Sequence, residues 1–299
     1  MLIAESYIMI PKEVLEKIHR IHITTSRMVT DIFAGHYHSV FKGQGMEFDE
    51  VREYQPGDDI RMIDWNVTAR TGSPYIKKFM EERELTIMLM LDLSGSSFFG
   101  TVKQLKRQLA AELCSVLAMS AIKNNDKVGL IVFTDRIEKY VPPKKGLRHV
   151  LRIIREALYF DPAGKGTDIS GALEHLNKVT NRRTITFVIS DFYEEDIKKS
   201  LSVLNKRHDI IAMTITDPRE LSMPDIGIVN LEDAEDGGSF LLDTSSSAIR
   251  KKFNEDSLKM FAERKHLFRS INVDHIDIRT DVPYTKELYR FFRMREGRV

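Results

Sequence analysis

From Leu85 onward the chain alternates between two patterns, and that alternation restricts its fold more than any other feature. Short runs rich in Ile, Val, Thr and Met recur as "TIMLMLD" (86–92), "KVGLIVFTD" (127–135), "TITFVISD" (184–191), "DIIAMTITD" (209–217) and "VDHIDIRTD" (273–281). Between them lie stretches with apolar residues at helical spacing. The longest begins "TVKQLKRQLAAELCSVL", where Val102, Leu105, Leu109, Leu113, Val116 and Ala121 share one face. Runs that are apolar at consecutive positions are buried on both faces of a sheet, and amphipathic helices between them are the crossovers that cover it. The expected architecture is α/β, Rossmann-like, with a mostly parallel central sheet and helices on both faces. Two antiparallel additions are expected. "RIEKYVPP" follows "VFTD" closely enough to return as an edge strand, and "GIVNLEDAEDGGSFLLDT" reads as a hairpin turning near Gly237 and Gly238.

Residues 1–84 read differently, as a helical and β-rich extension to a domain spanning 85–299. Helical spacing starts at Pro11, where a missing amide hydrogen costs nothing. Strand-like pieces after it are broken by Gly43, Gly45, Pro56, Gly57, Gly72 and Pro74. In "GDDIRMIDW" we expect Arg61 to pair with Asp58 or Asp64, and Trp65 to anchor against the core. His36 and His38 sit two apart, but lack further ligands nearby for a metal.

Forty-five Lys and Arg stand against 44 Asp and Glu, so net charge gives no reason to expect nucleic acid as a partner. The single cysteine, Cys114, lies on an apolar helical face and reads as a buried thiol. No apolar run approaches the roughly 20 residues that span a bilayer, and the start of the chain does not look like a signal peptide. The expectation is a cytoplasmic protein with no membrane span.

The chemistry concentrates in "DLSGSS" at 92–97, directly after the first core strand. Ligands of parallel α/β sheets bind beyond the carboxyl ends of the strands, where strand order reverses. Neither "DLSGSSFFGTVK" nor "AGKGT" at 163–167 has the glycine spacing of a Walker phosphate loop. The serine-hydrolase elbow, G-x-S-x-G, fails because Asp92 stands two residues before Ser94. An aspartyl nucleophile resembling the magnesium phosphatases of the haloacid dehalogenase type would use Asp92, but Ser94 stands where a second aspartate would serve as acid. The remaining reading is a site for a hard cation. Asp92, Ser94 and Ser96 alternate, Thr167 sits in the glycine-loosened "GKGTDIS", and Asp191 ends another core strand. Magnesium takes about six oxygens and keeps water among them. Two carboxylates balance its charge, and three hydroxyls leave a position open to an incoming carboxylate. Asp135, Asp217 and Asp281 also end strands and read as ordinary caps; Ser97 and Asp168 read as support or helix capping, and Glu194, Glu195 and Asp196 as complements to a helix N-terminus.

These residues carry a resemblance. D-x-S-x-S, then a distant Thr and a distant Asp, resembles the von Willebrand factor A domain and its metal-ion-dependent adhesion site, over roughly 85–295. "EFDEVREYQPGDDIRMIDWNVTARTG" followed by "KKFMEERELTIMLMLDLSGSS" is similar to the bacterial family called domain of unknown function 58, whose members are associated with MoxR-type AAA+ ATPases. The resemblance implies a magnesium (or manganese) ion on Asp92, Ser94, Ser96, Thr167 and Asp191. It implies a binding module, not an enzyme, that captures an Asp or Glu of a protein partner: a MoxR-type ATPase or its client. The competing expectation is a magnesium-dependent phosphohydrolase with Asp92 as nucleophile.

Overall fold

The computed structural model describes residues 47–80, 84–102, 104–194, 196–235 and 237–296. The helical start at Pro11, the His36–His38 pair and Glu195 lie outside them. Two compact units result, one within Phe41–Leu85 and one from Thr86 onward.

In the first unit, β1 (Glu47–Glu53) pairs antiparallel with β2 (Tyr75–Met80), and the short helix α1 (Trp65–Thr71) lies between them in sequence. Asp64 caps α1 by accepting from the Asn66 and Val67 amides at 2.9 and 3.3 Å, and Gly72 ends it with φ +76°. Arg52, not Arg61, holds Asp58: its two guanidinium nitrogens lie 2.7 and 2.9 Å from the carboxylate, which is held below its ordinary range. The Trp65 expectation is also corrected. As the first residue of α1, its side chain is 69% exposed rather than anchored.

The second unit is a mixed α/β fold. In chain order its elements are β3 (Thr86–Asp92), α2 (Lys106–Lys123), β4 (Lys127–Phe133), β5 (Ile137–Lys144), α3 (Leu147–Tyr159), α4 (Ile169–Val179), β6 (Ile185–Ser190), α5 (Ile197–Asn205), β7 (Asp209–Thr216), α6 (Pro218–Leu221), β8 (Ile228–Glu232), β9 (Ser239–Asp243), α7 (Ser247–Ser270), β10 (Asp274–Arg279) and α8 (Thr285–Glu296). The central sheet has the order β10-β7-β6-β3-β4-β5. All its pairings are parallel except β4 with β5, the return strand expected from "RIEKYVPP". The hairpin expected from "GIVNLEDAEDGGSFLLDT" forms as β8 and β9, with Gly237 at φ +75° in its turn.

Every residue of β3 from Ile87 to Asp92 is buried, because β3 has neighbours at both edges and helices on both faces. On one face Met88, Met90, Ile131, Phe133, Val188 and Ala212 pack with Leu173 and Leu176 of α4, Leu201 of α5 and Phe268 of α7. The alternate residues Ile87, Leu89 and Leu91 point to the other face. There α2 presents Leu109, Leu113, Val116 and Cys114, whose thiol burial pushes far above its usual range. Helix α2 starts at Lys106 and not near Val102. Beyond the short 3-10 turn Gly95–Phe98, Thr101 is held by Asp217 after β7: its amide donates to Oδ2 at 3.0 Å and its hydroxyl to Oδ1. No helix among the described residues is long and apolar enough to cross a membrane.

Candidate metal centre

The chain leaves β3 for β4 on one side and reaches β6 on the other, so strand order reverses at the β3–β6 boundary. Asp92 ends β3 and Asp191 follows β6, which places both acids at the mouth of that boundary. They line one small pocket together with Ser96, Ser97, Ser190 and Lys106.

Asp92 is buried and partnered by neutral groups. Its Oδ1 accepts from the Ser94 amide at 2.9 Å, and its Oδ2 from the Ser190 hydroxyl at 2.6 Å. Burial, and then the negative charge of Asp191, push its carboxyl up to about 6. Ser94 is fully buried, and its hydroxyl shares a hydrogen bond with that of Ser96 at 3.1 Å. Ser97, expected as support, is buried with its hydroxyl unpartnered. Phe192 takes a left-handed backbone, φ +55°, a conformation strained for a bulky side chain. It turns the chain at once after Asp191, and its amide donates to Ser190 Oγ at 3.0 Å.

The loop that carries Thr167 meets the serine turn, but Thr167 itself does not line the pocket. The Gly95 amide donates to the Lys165 carbonyl at 2.7 Å, so the 163–168 loop is seated on the serine turn. Glu138 holds that loop from behind, its Oε1 accepting from the Thr134 hydroxyl and the Ala163 and Gly164 amides at 2.9, 3.1 and 2.7 Å. Asp168 caps α4 through the Gly171 amide at 2.7 Å, while Glu194 accepts from the Ile169 amide of the same helix. The Thr167 hydroxyl itself donates to Glu235 at 2.8 Å.

Sequence reasoning missed Lys106. Its ammonium, 3% exposed, lies 2.7 Å from Asp191 Oδ2 and 2.6 Å from Glu220 Oε1. Desolvation opposes its charge, but the two carboxylates outweigh that and hold the ammonium firmly protonated. The signal was present: Lys106, Leu109 and Leu113 fall on one helical stripe, and a lysine on an apolar stripe needs an acidic partner. Glu220 in turn accepts from the Asp217 amide at 2.7 Å.

The donors fit a hard divalent cation. The Asp92 and Asp191 carboxylates and the Ser96 hydroxyl line the pocket as oxygen donors of the kind such an ion takes, while Ser94 and Thr167 are not among its lining residues. Asp92 carries its charge with only neutral hydrogen-bond donors among the described residues, and the buried Ser97 hydroxyl beside it has no partner. Among the described residues no group of three or more His, Cys, Asp or Glu side chains is placed to hold a metal ion, so a cation here would have two carboxylates and would need hydroxyls and water for the rest of its sphere.

The fold and site define a mixed α/β protein with an oxygen-lined, carboxylate-bearing cleft at the turning point of its sheet. The family described as "Protein of unknown function DUF58" matches residues 50–263, and the chain belongs to it. An uncharacterised protein of Mycobacterium tuberculosis is 30% identical over 280 residues, covering 92% of this chain and 87% of that one. Two solved structures are similar at 17% identity: an aerotolerance-related membrane protein from Bacteroides fragilis, covering 72% of this chain and 100% of that one with a TM-score of 0.47, and BatB from Bacteroides thetaiotaomicron, covering 71% and 99% with a TM-score of 0.45.

Proposed function

We propose that this chain is a cation-dependent protein-binding module of the von Willebrand factor A type. It captures an aspartate or glutamate of a partner on magnesium or manganese held by Asp92, Ser94, Ser96, Thr167 and Asp191. The observation that supports this best is the meeting of Asp92, Ser96 and Asp191 in one pocket at the sheet's turning point, with the Thr167 loop bonded to the serine turn between them. A bound cation would supply a Lewis-acidic position for one more carboxylate. The chain's own residues would fix its place: Ser190 and the Ser94 amide orient Asp92, and Glu138 steadies the Thr167 loop. The resemblance to MoxR-associated proteins makes a MoxR-type AAA+ ATPase, or its client, the partner we propose. The phosphohydrolase reading is weaker, because the second position after Asp92 carries a fully buried Ser94 and no acid.

The test is a calorimetric titration with manganese, followed by a magnesium-dependent pull-down from native lysate. Asp92→Ala is expected to lose both cation binding and the captured partner while keeping the wild-type circular dichroism spectrum. Equal capture by wild type and Asp92→Ala, or equal capture with and without chelator, would refute it.

A further inference from the structure

A carboxylate from elsewhere in the chain, that of Glu235, stands on the Thr167 hydroxyl of the proposed site. The tip between β8 and β9 is a closed turn: the Asp233 amide donates to the Gly238 carbonyl at 2.6 Å, the Gly237 amide to the Asp233 carbonyl at 3.0 Å, and the Glu235 amide to Asp233 Oδ1 at 2.8 Å. This tip lies across both loops of the cation site. Glu235 Oε1 accepts from the Thr167 hydroxyl at 2.8 Å, and Glu235 Oε2 is 3.9 Å from where a Cβ on Gly166 would stand. On the serine turn, a Cβ on Gly95 would collide with the Ala234 carbonyl. A glycine between Ser94 and Ser96 is therefore what lets the tip sit this close.

The hairpin is fastened at one end. Its base is fastened: the Thr244 amide and hydroxyl donate to the Gly227 carbonyl at 2.9 and 2.6 Å, and the Ile226 amide to Thr244 Oγ1 at 3.0 Å. Beyond the base, β8 and β9 form a sheet of two strands, with Ile228, Phe240 and Leu241 largely exposed. Two-stranded hairpins are marginal when nothing else supports them. With an anchored base and strands supported only by each other, displacing the tip would break the Thr167 bond and little of the sheet core.

Resting on the cation reading above, we propose that Glu235 is an in-chain ligand of the site. It occupies the position reserved for the partner's carboxylate, so the partner binds by displacing the hairpin tip. The alternative, a Glu235 that merely caps the Thr167 hydroxyl, would leave the cation's coordination untouched.

Manganese serves as the probe, with the full chain as wild type, Glu235→Gln, Glu235→Asp and Asp92→Ala. Electron paramagnetic resonance reads affinity, and water-proton relaxation reads how many coordination positions are open to water. Glu235→Gln is expected to bind manganese about tenfold more weakly, but loss of a mere partner of Thr167 would do the same, so relaxivity decides. If Glu235 is a ligand, the variant opens a coordination position to water. Each bound ion then relaxes water faster, and acetate reverses that gain. Glu235→Asp keeps the charge but loses the reach, and is expected to match Glu235→Gln. If Asp92→Ala abolishes binding while both Glu235 variants keep wild-type relaxivity, whatever their affinity, the inference is overturned and the cation site stands. If wild type binds no manganese, or Asp92→Ala binds it equally well, the cation reading fails and takes the inference with it.

Discussion

Lys106→Met is the most demanding single test of how the centre is balanced. Lys106 is the cation between Asp191 and Glu220, whose side chains are 5% and 15% exposed. Removing one partner of a buried ion pair costs about 3–5 kcal/mol, because the remaining charge is left desolvated. Protonation sets an independent ceiling. An orphaned carboxylate escapes by taking a proton, which at pH 7 costs roughly 4 kcal/mol against an unfolded-chain aspartate reference of about 3.9. The two routes agree, so about 4 kcal/mol is expected in chelator near neutral pH, a fall in Tm of about 8 °C for a chain of this size. At pH 5 the same ceiling is only about 1.5 kcal/mol, so the penalty shrinks on acidification. If the proposed cation site is right, saturating magnesium would supply the missing charge at Asp191. At about 100 times Kd it adds roughly 2.7 kcal/mol to any competent protein, and more to the variant, where no ammonium competes. Urea unfolding at two pH values, with magnesium and with chelator, measures all four corners. A penalty below about 1 kcal/mol in chelator at neutral pH would refute the claim that Lys106 neutralises buried acids. Equal magnesium stabilisation of both proteins would refute the claim that ammonium and cation share Asp191.

Two further outcomes are expected. His208 is buried with its Nδ1 2.9 Å from the Thr184 hydroxyl, and burial followed by the charges of Arg207 and Arg183 pulls it from 6.5 down to about 4. The unfolded chain takes the proton first, so stability is full above pH 6.5 and falls as pH drops toward 4; in urea titrations His208→Gln is expected to flatten that slope, and an unchanged slope would clear His208 of it. Asp92, raised to about 6, must be ionised to hold a cation, so manganese affinity is expected to be flat above that pH and to fall up to about tenfold per pH unit below it. A pH-independent affinity by calorimetry would contradict that.

The sheet was legible because strands such as "TIMLMLD" are buried on both faces, which makes them continuous apolar runs that no exposed element would tolerate. Asp92 and Asp191 were legible for a related reason: a polar residue ending such a run marks the carboxyl edge where ligands bind. The start of α2 was not, because Thr101 is drawn away by Asp217, 116 residues along the chain. Lys106 escaped notice on the same ground, since its partners lie 85 and 114 residues away. Trp65 misled because aromatic size argues for burial only on average. Local pattern reports which faces are apolar; it does not report which distant side chain will meet a buried charge.

Those distant contacts give the centre a property that the proposed ligand set alone would lack. Along the carboxyl edge of the sheet runs one connected series: Ser190 of β6 on Asp92, Asp191 on Lys106, Lys106 on Glu220, and Glu220 on the Asp217 amide. Asp217 then reaches Thr101 after β3 and Thr280 after β10, the latter at 2.8 Å. Lys106 therefore has two acids, and a cation arriving at Asp191 would still leave the ammonium paired with Glu220. A lysine with one acid would be stranded by the same exchange, at the cost of several kcal/mol that attends an unpaired buried charge. Glu235 adds the opposite sign on the other side, an exposed carboxylate on Thr167 that leaves for water without such a cost. If the centre holds a cation and a partner as proposed, it would exchange an ammonium contact for a metal ion, and an internal carboxylate for a partner's, without passing through a naked buried charge at either step.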